Sequence, residues 1–347
     1  MFLIITINLL LLLSFDISAK EVNLYTSRHY EADYQLYKKF EIETGIKVNV
    51  VSGKPQPLEK RIIEEGKDCI GDLFFLADAG RLYSSEKKKL FQKIYSPTLV
   101  KKVPNNLRNG YWFGITKRAR IIYYNPDITS PDEVQFLNYE NLSDSKWYKS
   151  IAIRQSNNVY NQSLVASLIL NNGEKETKKW IRGLKNNFFR EPSGNDRSQI
   201  LAVATGEAKL AIANTYYYAL MLSGKKGKSQ QDAARKVKPI FPNQQNRGTH
   251  INISGIGVLK YSPNKSNAIK LLEYLVTDSA QKHLSENSFE YPIVTEIQLP
   301  NILLDMSDGY IEDMKTPVEM YGKLQKKSFS IMLEEGWNWF DINQKIY

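Results

Sequence analysis

The order of the hydrophobic patterns between residues 22 and 78 constrains the fold of this chain more than any other feature. Residues 22–25 read as a short strand. Ala32, Leu36 and Phe40 then recur every four residues, one stripe of a helix that stops before Gly45. Residues 46–51 alternate as a second strand, and Leu58, Ile62 and Ile63 mark a second helix. Residues 72–77 (DLFFLA) are a compact apolar run of the kind covered on both faces, and Asp78 opens the next helix. Strands that alternate with helices imply a parallel, helix-covered sheet, because parallel neighbours need a crossover.

Residues 112–125 (WFGITKRARIIYYN) break that rhythm. They are β-rich with no helix between two apolar ends, and suit a strand that crosses from one lobe to another. A second series follows: a strand at 150–154, a helix at 162–170 capped by Asn158 or Asn161, a helix at 196–204 and a strand at 209–213. Residues 249–259 resume strand character, and 263–276 and 279–287 are helical. A chain of 347 residues suits about two domains. Without a flexible linker, these are two α/β lobes joined by hinge strands. The lysine-rich loop tip at 225–228 is the expected mobile spot.

The first residues stand apart. The apolar run at 2–15 is short of the roughly 20 residues that span a bilayer. Ser18-Ala19 and the charged Lys20-Glu21 follow it, the pattern of a secretory signal peptide over residues 1–19, cleaved after Ala19. No Lys or Arg precedes the run and Ile17 stands at −3, so an uncleaved anchor is the alternative. Loss of the segment, whose only charge is Asp16, takes the formal charge from +10 to +11. The basic residues come as scattered pairs and triplets, such as Lys87-Lys88-Lys89 and Lys225-Lys226, without a nucleic-acid motif, and read as solvated surface.

Composition removes several chemistries. The single Cys69 excludes an intrachain disulfide and a multi-thiolate zinc site, and reads as buried and inert. Three histidines make a His cage unsuitable; His250 and His283 lack ligand spacing, and His283 is expected at the surface of a helix. Gly255-Ile256-Gly257 falls inside a strand and reads as close packing. No P-loop, nucleophile elbow or paired-carboxylate motif is present.

Tyrosine is in surplus, 21 against 14 Phe, and several tyrosines sit where strands end: Tyr30, Tyr160, and Tyr216-Tyr217-Tyr218. In α/β folds ligands bind at the carboxyl ends of strands. A lone tyrosine there is ordinarily a packed side chain. Several that converge suit a hard trivalent cation, because hard ions prefer oxygen and a nearby 3+ charge lowers the phenol pKa of about 10. Such binding releases protons.

The stretches SRHYEADYQLYKKFEIETGIKVNVV, WFGITKRARIIYYN, NVYNQSLVASLI, REPSGND, ANTYYY, FPNQQNRGTHINISGIGV and ENSFEYPI, in this order over about residues 21–300, resemble the periplasmic ferric-iron-binding proteins of ABC importers. The resemblance is nearest to the branch that binds iron mainly through tyrosines without a required anion. It implies a two-lobe, type II-like periplasmic-binding-protein fold, each lobe a helix-covered mixed sheet. The N-terminal lobe is expected over 20–115 and 243–295, the C-terminal lobe over 116–242 and 296–347. It further implies Fe³⁺ as transported ligand, an inner-membrane permease with its ATPase as partner, a periplasmic monomer and no enzymatic role.

Under that resemblance Tyr30 matches the N-lobe ligand, Tyr160 a C-lobe ligand, and Tyr216 and Tyr217 the adjacent pair. Tyr218 follows the pair and is structural. His29 matches a neighbour that ligates in some members. Arg120 matches a cleft arginine that approaches the ion or its anionic shell and offsets the −1 that four phenolates leave on Fe³⁺; the alternative is a salt bridge on a hinge strand. Some relatives carry a further arginine just after the pair, where Ala219-Leu220-Met221 supply none. Arg190, Ser193, Gly194 and Asn195 are a plain turn or face a small anion. Trp337, Trp339 and Phe340 are expected to pack a C-terminal helix on the second lobe. The alternatives are the same fold around an oxyanion or polyamine, an exported enzyme with an activated tyrosine flanked by Glu31 and Asp33, and polyanion binding by the basic surface.

Overall fold

A computed structural model describes residues 20–28, 30–307 and 309–338. The signal segment, His29, Trp339 and Phe340 lie outside the described residues. The strands are β1 Glu21–Thr26, β2 Lys47–Ser52, β3 Leu73–Ala77, β4 Trp112–Tyr124, β5 Ile151–Ala152, β6 Leu210–Asn214, β7 Lys238–Ile240, β8 Ile251–Val258 and β9 Tyr291–Pro292. Among the described residues they join in the order β2-β1-β3-β8-β4-β6-β5, with β7 and β9 also on β4. β1 runs parallel to β2 and β3, as the crossover helices Glu31–Thr44 and Pro55–Glu65 require. β5 and β6 are also parallel, whereas β3–β8, β8–β4 and β4–β6 are antiparallel, so the sheet is mixed.

β4 divides the molecule. Its residues from Trp112 to Ala119 pair with β8, and those from Arg120 to Tyr124 pair with β6. The strand leaves one half of the sheet and enters the other between Ala119 and Arg120. We call these the β1 half and the β6 half. Leu24, Phe74, Trp112 and Ile256 are fully buried in one apolar cluster; Ile122, Trp147, Ile212 and Trp337 are fully buried in another. Each large apolar side chain so buried contributes roughly 2–3 kcal/mol.

Two sequence readings have a direct packing counterpart. A Cβ at Gly257 would lie 2.4 Å from the Phe91 ring, so this glycine marks close packing within β8. Trp337, just after the helix Glu319–Glu334, meets Phe188 edge-on at 5.4 Å and donates its indole N–H to the Arg154 carbonyl at 3.0 Å. That helix packs on both Val159–Asn186 and Ala79–Lys87, so it touches both halves. His283 departs from its expected exposure. It is 9% exposed, and its Nε2 lies 2.9 Å from the Ala32 carbonyl, joining the helices Asp278–Ser288 and Glu31–Thr44.

Candidate metal centre

The tyrosines stand where strands hand over to helices. Tyr30 is the residue before the helix Glu31–Thr44, with extended backbone at φ −84°, ψ 137°. Tyr160 lies in the first turn of Val159–Asn186, whose capping Asn158 accepts the Asn161 N–H at 3.3 Å. Tyr216 and Tyr217 open the helix Thr215–Leu222, which follows β6 without a loop. All four line one cavity of about 300 Å³, together with Arg28, Arg118 and Glu290. Tyr30 comes from the β1 half and the other three from helices of the β6 half. The Tyr160 and Tyr216 hydroxyls are 3.3 Å apart, and the Tyr216 and Tyr217 rings lie 4.2 Å apart. Tyr218 turns away and donates to the Val237 carbonyl at 2.8 Å. Among the described residues no group of three or more His, Cys, Asp and Glu could hold a metal. The oxygen donors gathered in this cavity are mainly phenols.

Burial dominates the chemistry of these phenols. It pushes Tyr30 well above the ordinary range, and the Glu290 carboxylate pushes it further. It does the same for Tyr216, with neighbouring Tyr160 next in effect. Tyr217 is raised by burial and then by Tyr160. Without a counter-charge these hydroxyls therefore keep their protons at neutral pH. A trivalent cation in the cavity reverses the balance, because three or four phenolates nearly cancel its charge.

Beneath the phenols lies a buried ionic network. The Arg28 guanidinium donates to both Asp33 oxygens at 2.9 and 3.0 Å, bonds Glu290, and sits 4.9 Å from the Tyr30 ring centre. Arg118 donates to Asp78 at 3.2 Å and lies 5.2 Å from the Tyr160 ring centre. Asp78 also accepts the Ser163 hydroxyl at 2.9 Å, from one turn beyond Tyr160.

Arg120 forms the salt bridge that is its alternative reading. It lies outside the cavity lining and donates to Asp196 at 2.9 Å and Asn214 at 3.1 Å, and also to Asn161. The cause is the division of β4: Arg118 faces Asn252 of β8 in register, whereas Arg120 faces Asn214 of β6. Arg118 takes the cleft, and Arg120 braces the residues adjoining Tyr160 and Thr215. Asp196, held below the usual carboxylate range by Arg120 and Arg154 despite its burial, completes that brace. Arg28, Arg118, Asp78, Asp196 and Glu290 carried no signal as a set, because most of their partners are distant in sequence. The REPSGND stretch resolves as a turn and cap: Asn195 and Ser198 form a capping box for Asp196–Ala204, and Gln199 bonds the Ser193 carbonyl at 2.6 Å.

The chain resembles proteins of known role over nearly its whole length. The sequence profile described as bacterial extracellular solute-binding protein matches residues 72–308. Iron uptake protein A1 of Synechocystis sp. is 44% identical over 320 residues, which is 92% of this chain and 88% of that protein. The major ferric iron-binding protein of Neisseria meningitidis is 27% identical over 79% of this chain and 81% of its own. Among solved structures, a Trichodesmium protein in complex with iron and citrate ligands superposes with a TM-score of 0.88 at 45% identity, covering 92% of this chain and 100% of that one. The ferric binding protein of Campylobacter jejuni gives 0.84 at 38% identity, covering 91% and 99%. With phenols from both halves of a mixed α/β sheet facing one cleft, and likeness at this level over 92% of its length, the chain belongs to the bacterial extracellular solute-binding protein family.

Proposed function

We propose that this protein is the solute-binding component of an ABC transporter that captures ferric iron between its two lobes and delivers it to an inner-membrane permease. Tyr30, Tyr160, Tyr216 and Tyr217 supply the phenolates, and His29 adds a fifth donor. The observation that carries the reading is the convergence of four tyrosines from separate elements on one cavity of about 300 Å³. A packing role for each would scatter them. The relatives named for iron uptake and ferric binding support the same cargo. The lobes comprise 20–119 with 243–295, and 120–242 with 296–347, with the first crossing moved from the expected 115/116 to the point where β4 changes partner. The mature chain works as a periplasmic monomer after cleavage near Ala19, as a carrier without catalysis. Among the described residues no helix is long and apolar enough to cross a membrane.

Phenolates bound to Fe³⁺ give a charge-transfer band in the visible, which makes the test direct. Titration with a ferric salt is expected to develop colour to a one-to-one endpoint. Tyr216→Phe combined with Tyr217→Phe is expected to weaken binding at least 100-fold, since two of the four donors are lost. A colourless protein, or an unchanged endpoint in the double variant, would overturn the assignment. Arg81, Arg197 and Lys226, which line the cavity without carboxylate partners among the described residues, favour a second form of the cargo, iron that still carries a carboxylate chelator. Comparing ferric chloride with ferric citrate as the titrant separates the two.

A further inference from the structure

The loop at residues 223–227 joins the Tyr216–Tyr217 helix to the next helix, and it reaches across the cleft. Gly224 and Gly227 adopt φ of +80° and +90°, backbone that glycine takes without strain, and they set the loop's turns. Between them Lys225 donates its ammonium to the Asn287 carbonyl at 3.1 Å and lies 4.7 Å from the Phe289 ring centre. Asn287 belongs to the last turn of Asp278–Ser288, where carbonyls lack helical partners and attract cations. That helix is fixed to Glu31–Thr44 through His283 and Ala32, and Tyr30 stands just before Glu31. One residue beyond Phe289, Glu290 bonds Arg28, whose guanidinium lies over Tyr30. Lys225 thus links the helix carrying two candidate ligands of the β6 half to the scaffold of the candidate ligand from the β1 half.

Charge gives the neighbouring lysine a role. In the network under the cavity Arg28, Arg118, Arg120 and Arg154 pair with Asp33, Asp78, Asp196 and Glu290, four charges of each sign. It has no spare positive charge to offset the −1 of a tetraphenolate ferric centre. Arg81, Arg197 and Lys226 line the cavity without a carboxylate partner among the described residues, and of the three Lys226 stands on the loop that follows the Tyr216–Tyr217 helix. Its ammonium meets the need that Ala219-Leu220-Met221 leave open.

We propose that residues 223–227 act as a strap that holds the cleft shut over its cargo, with Lys225 as the interlobe anchor and Lys226 as the counter-charge. The counter-charge part rests on the ferric reading; the anchor does not. Both lysines are exposed, so the variants fold. The test compares Lys225→Met, Lys225→Arg and Lys226→Gln with the parent, measuring ferric release to excess chelator and the radius of gyration by small-angle scattering. Lys225→Met is expected to keep the parent's visible band and endpoint yet release iron about three- to ten-fold faster, the scale of one exposed charged contact. Lys225→Arg is expected to restore the parental rate. Added salt is expected to speed release from the parent and much less from Lys225→Met, because screening removes the same contact. Lys226→Gln is expected to weaken binding without enlarging the radius. A parental release rate in Lys225→Met overturns the anchor, and unchanged affinity in Lys226→Gln overturns the counter-charge. If the parent takes no iron at all, the ferric reading and the counter-charge fall. The anchor then stands or falls on whether iron-free Lys225→Met is larger than the iron-free parent.

Discussion

Every phenol in the cavity whose pKa is displaced faces the same opposition: burial favours the neutral hydroxyl, and capture of a cation requires the phenolate. For Tyr30 and Tyr216 burial is the largest cause of the upward displacement, and neighbouring negative charge adds to it. The empty site therefore holds protons that the filled site must give up. The sign is fixed by linkage: affinity rises with pH, by up to about one decade per pH unit for each phenol that ionises on binding. Competition against a chelator of known pH dependence, at pH 6.5 and pH 8, is expected to show ferric affinity at least ten-fold higher at the upper value. Affinity independent of pH would rule out phenolate ligation. The tyrosines could be picked from the sequence while their arginine partners could not. Tyrosine excess at strand ends is a local signal. The pairing of Arg118 with Asp78 joins residues 40 apart, and that of Arg28 with Glu290 joins residues 262 apart. No local pattern encodes such contacts.

At the level of elements, most of what positions the cavity was legible because it depends on short-range periodicity. The apolar run expected at 72–77 is strand Leu73–Ala77, and the helix expected at 196–204 is Asp196–Ala204. The crossing strand expected at 112–125 is β4. Legibility stopped within β4 itself. Arg118 and Arg120 share alternation, but the sheet changes partner between them, and only the partner strands decide which guanidinium reaches the cleft. His283 illustrates the same limit, since an amphipathic helix shows its polar positions without showing which of them another helix will cover. β8 offers a test of packing separate from the cavity. Gly257→Ala would place a Cβ against the buried Phe91 ring at a distance no ordinary contact tolerates. The expected cost is roughly 1–3 kcal/mol, from displaced ring and backbone. It should appear as a lower urea midpoint with an unchanged ferric endpoint. A variant as stable as the parent would mean that the ring moves aside without cost.

On the scale of the whole molecule, what matters is how the candidate ligands divide between the lobes. Tyr160, Tyr216 and Tyr217 stand on helices of the β6 half, and Tyr30 is the described candidate from the β1 half. Three phenolates on one side can hold an ion without drawing the halves together. Under the proposed ligand set the fourth would convert capture into closure, because its bond to the ion would span the cleft and make hinge motion part of the binding equilibrium. Tyr30→Phe keeps the ring and its contact with Arg28 and removes only the donor. The variant is therefore expected to retain colour, since three phenolates remain, with iron bound at least ten-fold more weakly. Its radius of gyration on adding iron is expected to shrink less than the parent's, and adding His29→Ala should abolish the residual change. Because closure raises stability by mass action only when binding spans both halves, the ferric-induced rise in melting temperature should also fall in Tyr30→Phe. If Tyr30→Phe closes on iron as fully as the parent, the coupling resides elsewhere in the hinge. Tyr30 would then be a bystander to transport, whatever its distance from the ion.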